Sequence, residues 1–178
     1  MTIRERLEAG HSKAITTAVV KFVGNDATRF KELVQLVLTG DDELAPWAAW
    51  PMSYVVETYP ELLKPWIPKL IQKLSEKNRH PGIKRNILRA FEFVDIPEKY
   101  EGRAVDIFFS EIADPANPPA IIAFAITAAA RICGKYPELM TEFELVLSPL
   151  QQHPQPPSIT VRLKQIRQPK TLKQKRAR

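Results

Sequence analysis

The stretch Tyr59-Pro60-Glu61-Leu62 recurs as Tyr136-Pro137-Glu138-Leu139, and Ile96-Pro97-Glu98 stands between the two. The three prolines are 37 and then 40 residues apart, and 36 residues before Tyr59 lies Val23-Gly24-Asn25-Asp26, another helix stop and start signal. Proline lacks the N–H that a helix interior needs but is tolerated in a first turn, so prolines at a fixed period open helices. A period near 40 residues is that of helix pairs stacked in a row. It also reconciles 16 prolines with a mostly helical chain.

The spacing of apolar residues fills each interval with two helices. Ile15, Ala18, Val19, Phe22 and Val23 follow the i, i+3, i+4, i+7, i+8 pattern after Ser12 as N-cap. Phe30, Leu33, Val34, Val37 and Leu38 repeat it after Asp26, until Gly40 stops the helix. The second pair runs from about Asp42 to Tyr59, with Pro46 in the first turn and Pro51 as a kink, and then over 61–77. There Leu62, Leu63, Trp66, Ile67, Leu70, Ile71 and Leu74 line one face, and Pro65 and Pro68 leave 61–64 as a separate short turn. The third pair covers Pro81 to Val94 and Pro97 to Ala113. The fourth opens with 120–134, apolar on nearly all sides, and continues with a helix presenting Leu139, Phe143, Val146, Leu147 and Leu150. A capping helix carries Ile159, Leu163 and Ile166. No segment alternates with period two, so no sheet is predicted.

Residues 1–168 are therefore expected to form one helical domain, followed by a basic tail, 169–178, too poor in apolar residues to join a core. The longest apolar run, Ala120–Ala130, falls well short of the roughly 20 residues of a membrane span. The N-terminus has no apolar segment of secretory type, and Cys133 is the single cysteine, so a cytoplasmic protein without disulfides is expected. His11, His80 and His153 fall at helix boundaries without metal-ligand spacing and are expected in solvated loops. No nucleophile motif or phosphate-binding loop occurs, and Cys133 has no base in reach along its helix. Catalysis, a cofactor and a metal are thus not expected.

Charge is unevenly spread. Residues 62–91 hold 8 Lys/Arg and 1 Asp/Glu, and 152–178 hold 8 Lys/Arg and no acid, whereas 92–151 hold 4 basic and 10 acidic residues. Lys69, Lys73 and Lys77 recur every four residues, and Arg79, Lys84, Arg85 and Arg89 follow the next turn. In a helix pair these residues form a basic patch for an acidic protein or a phosphate backbone, set against the plain reading of a solvated helix face. Trp47 and Trp50 share one helix face and are either core or the wall of a groove. Arg131 stands among Ala and Ile, where a guanidinium must be paired or open onto a groove.

The Pro-Glu-Leu turns, the helix-pair period and the lone Arg131 make residues 12 to about 151 resemble small bacterial HEAT-repeat proteins. The resemblance implies an all-α, HEAT-like α-solenoid, a right-handed superhelix of about four helix pairs plus terminal helices. It implies that Arg131 pairs with an aspartate of a neighbouring repeat, Asp95 or Asp106, and that the repeat surface binds a protein or peptide as a non-catalytic scaffold or adaptor. Trp47, Trp50 and Arg131 are also similar to the indole and arginine set of HEAT-like alkylpurine DNA glycosylases, which implies nucleic-acid binding, with glycosylase-type base excision, as the alternative. No single residue here aligns with the catalytic aspartate of those enzymes.

Overall fold

A computed structural model describes residues 1–76 and 80–167, so Lys77, Arg79 and the basic tail 169–178 lie outside the described residues. Its elements are α1 (Ile3–Glu8), α2 (Lys13–Val23), α3 (Ala27–Thr39), α4 (Leu44–Thr58), a 3-10 turn (Pro60–Trp66), α5 (Ile67–Ser75), α6 (Pro81–Phe91), α7 (Glu98–Ala113), α8 (Pro119–Cys133), α9 (Pro137–Gln152) and α10 (Pro157–Ile166). Among the described residues there is no strand. The chain divides into two compact units, Met1–Tyr100 and the residues from Glu101 onward.

Helix starts follow the caps and prolines. Ser12 Oγ accepts from the Ile15 N–H at 3.2 Å, and Pro81, Pro119, Pro137 and Pro157 occupy first turns where no N–H is needed. Asp26 caps α3, its carboxylate accepting from the N–H groups of Thr28 and Arg29 at 2.8 and 3.0 Å. The Arg29 bond above all holds the Asp26 carboxyl below its ordinary value of 3.8, against a desolvation effect that raises it. A folded pKa below the unfolded one means the cap contributes fully above the unfolded value and is lost as pH falls through the folded one. Asp26→Asn, which keeps an acceptor but does not titrate, is therefore expected to flatten the loss of stability below about pH 4, read by urea titration across pH.

In the first unit α2, α4 and α6 lie side by side, and α3 packs on α4 from the other layer, with α1, the 3-10 turn and α5 beside it. Helix α4 is the spine. Leu44, Ala45, Ala48, Ala49, Met52, Val55 and Val56 are all buried, because neighbours cover this helix on most sides. Pro51 sits inside α4 without ending it. The periodic apolar pattern begins after Ser12, and before it stands the terminal helix α1, held by a capping box between Thr2 and Glu5 and anchored by Ile3 and Leu7.

The second unit is centred on α8, which packs against α9 and α10 and buries Ile121, Ala125, Ile126, Ala129 and Ile132. The small alanines allow neighbouring helices to approach closely. Phe109 of α7 stacks on Phe143 of α9 with ring centroids 5.8 Å apart. Asn117 closes the turn after α7 by donating to the Glu111 carbonyl at 2.9 Å and to its carboxylate at 2.8 Å.

Candidate functional site

Buried positions on α4 leave one accessible stripe: Trp47, Trp50, Tyr54 and Glu57, at steps of three, four and three residues along a helix of 3.6 residues per turn. The two indoles are half-buried and Tyr54 is 40% exposed. Neither indole N–H makes a hydrogen bond to a described residue, so both donors remain available to an acceptor. Three large aromatic side chains on the open side of an otherwise buried helix are an unusual expenditure of apolar surface for a water-facing position.

Each end of the stripe is held by a side chain from another element. The His11 ring, from the exposed turn between α1 and α2, stacks on Trp47 with centroids 5.6 Å apart and 7° between planes. It meets Trp50 edge-on at 5.1 Å. His11 is solvent-exposed as its loop position predicts, yet it also covers one face of an indole, a contact the sequence does not reveal. At the other end the Arg89 guanidinium lies 4.1 Å from the centre of the Tyr54 ring, forms an ion pair with Glu57 and donates to Ser53 Oγ at 3.2 Å. Ser53 is itself tied to the Trp50 carbonyl and to Asn86, which donates to the Gly82 carbonyl.

These contacts fix the direction of α6. A Cβ on Gly82 would touch Pro46, Asn86 meets Ser53, and Arg89 meets Glu57, so α6 runs parallel to α4. Arg85, one turn before Arg89, therefore stands at the level of Trp50. It is exposed and pairs with no carboxylate among the described residues.

The remaining basic residues are placed differently from one another. Lys69 is exposed, with its ammonium 5.3 Å from the Trp66 ring centre. Lys73 is turned against the end of α3, donating to the Leu38 carbonyl at 3.3 Å and pairing with Glu76 at 2.9 Å. Lys84 is half-buried and engaged within the fold. The stripe of positive charge thus splits: Lys73 serves the α3–α5 junction, Arg89 serves the α4–α6 junction, and Lys69 and Arg85 face water. Arg131 is half-buried in the last turn of α8 and is engaged in an interaction of its own.

Two buried groups of the second unit carry chemistry of their own. Glu101 is only 4% exposed and joins Lys135 through an ion pair and Tyr136 through its hydroxyl, which donates at 2.7 Å. Burial pushes the Cys133 thiol up to about 11, so almost none of it is thiolate at neutral pH. In the folded protein Cys133 is expected to react with a disulfide reagent far more slowly than after denaturation, a thiol-titration time course being the check. Among the described residues no group of His, Cys, Asp and Glu converges as a metal site, and no helix is long and apolar enough to cross a membrane.

Paired helices of this period, stacked in a row, define a helical-repeat protein. A family model described as the HEAT repeat domain matches residues 3–170, and the chain belongs to that family. No curated protein and no solved structure matches the chain.

Proposed function

We propose that this protein is a non-catalytic adaptor that binds a protein or peptide partner through the surface of its helical repeats, at the α4 stripe. The observation that carries this reading is that the half-buried Trp47 and Trp50 and the exposed Tyr54 share the one accessible face of a helix whose other faces are largely buried. Tyr, Trp and Arg are the residue types that dominate binding energy at protein interfaces, because they bring large rigid contact area and a polar tip together. Family membership supports the same reading, since stacked repeats present extended surfaces.

Nucleic-acid binding is the second reading, favoured by the excess of Lys and Arg over residues 62–91. Against it, His11 covers a face of Trp47, Arg89 covers a face of Tyr54, and Lys73 and Arg89 are committed to carboxylates. Bases stack on open ring faces, and one face of Trp47 and one of Tyr54 are already covered.

Immobilised protein incubated with native lysate tests the proposal when wild type is compared with the Trp47→Ala/Trp50→Ala variant. The expected result is a protein retained by wild type and lost by the variant, with both proteins melting cooperatively. Equal retention by both, or retention of nucleic acid alone, contradicts it.

A further inference from the structure

The layer that carries the stripe is strongly biased in charge. Helices α2, α4 and α6 contain Lys13, Lys21, Lys84, Arg85 and Arg89 but only one acidic residue, Glu57, which is already neutralised by Arg89. The aromatic stripe is therefore bordered by cationic helices, with the exposed Arg85 at the level of Trp50. Trp47 to Tyr54 spans seven residues, roughly 10 Å along the helix axis, which matches about three residues of an extended peptide.

We infer that the occupant of this surface is an acidic peptide segment of a partner protein, with apolar side chains interspersed among its carboxylates. The inference rests on the adaptor reading and specifies the chemistry of its partner. An apolar side chain seats on the exposed edges of Trp50 and Tyr54, while a carboxylate or peptide carbonyl accepts from the free indole N–H groups and from Arg85. Each polar contact is charge-assisted or made to a donor with no described partner, so binding satisfies groups that the free protein leaves to water. A basic segment meets Arg85, Lys84 and the α2 lysines with like charge and is rejected. A single strand of nucleic acid would supply the negative charge, but His11 already covers one face of Trp47 and Arg89 one face of Tyr54, which leaves less ring surface for its bases to stack on.

Fluorescence anisotropy with three labelled probes tests this on the full chain: a short peptide alternating Glu with Leu and Phe, the same peptide with Lys for Glu, and an oligothymidylate. The Glu peptide is expected to bind and to perturb tryptophan emission, and the Lys peptide to bind at least tenfold more weakly, on the order of 1.4 kcal/mol. Arg85→Glu, a surface change that leaves thermal melting unaltered, is expected to weaken the Glu peptide about tenfold, and Trp50→Ala by a similar factor. Equal affinity for the Glu and Lys peptides overturns the inference. So does an unchanged affinity in Arg85→Glu, or tighter binding of the oligothymidylate with loss in the same variants. Retention of a lysate protein that depends on Trp47 and Trp50 but not on Arg85 leaves the adaptor reading standing and removes the acidic partner alone.

Discussion

Ala49→Asp is expected to abolish folding of the first unit, read as loss of the cooperative melt and of near-ultraviolet circular dichroism from Trp47 and Trp50. Ala49 is fully buried in the middle of α4, with α2, α3 and α6 against the helix. A carboxylate there must give up its hydration or force the helices apart, and a buried unpaired charge costs several kcal/mol even after relaxation. That is comparable with the ~5–15 kcal/mol that holds an ordinary domain folded. Tyr54→Ser, five residues along the same helix, is the control. It removes one ring contact with Arg89 at a 40%-exposed position and is expected to cost about 1 kcal/mol or less. A native-like melt for Ala49→Asp would mean that α4 is not the buried spine.

The second large effect lies in the other unit. Lys135→Ala leaves the Glu101 carboxylate buried with only the Tyr136 hydroxyl to answer it. Breaking a buried ion pair costs about 3–5 kcal/mol, and the 45% exposure of Lys135 moderates this to roughly 2–3 kcal/mol. At this chain length that lowers Tm by about 4–12 °C. Adding Glu101→Leu to Lys135→Ala removes the stranded charge and is expected to recover most of the loss, because an apolar residue of similar volume suits a site only 4% exposed. Calorimetry on the two variants separates the outcomes. A double variant as unstable as Lys135→Ala would show that the ion pair itself, rather than the desolvated carboxylate, sets the energetics.

Helix positions were largely legible because their determinants are local. Ser12 and Asp26 cap within three residues, and first-turn prolines mark α6, α8, α9 and α10 without help from the rest of the fold. Helix α1 was not legible as part of the array, since six residues with two core side chains give no periodicity. The stripe was half legible. Trp47 and Trp50 stood out as a helical pair, and Tyr54 continues their spacing, but α4 is apolar around most of its circumference. Periodicity then cannot distinguish the open side from the covered ones, and only the packing of α2, α3 and α6 decides it.

Partners distant in sequence were invisible for the same reason. Glu57 and Arg89 are 32 residues apart, Glu101 and Lys135 are 34 apart, and His11 reaches Trp47 across the two helices α2 and α3. Counting charges over residues 62–91 correctly located an excess of basic residues. It could not tell that Lys73 and Arg89 are tied to neighbouring helices while Lys69 and Arg85 face water.

Site-specific photocrosslinking in the native host tests the α4 stripe directly, with a photoreactive phenylalanine placed at Tyr54 and, as control, at the exposed Lys31 on α3. The account expects a discrete protein adduct from position 54, sensitive to Arg85→Glu, and none from position 31. Adducts of equal yield from both positions, or an adduct from position 54 that nuclease removes and protease does not, would contradict it.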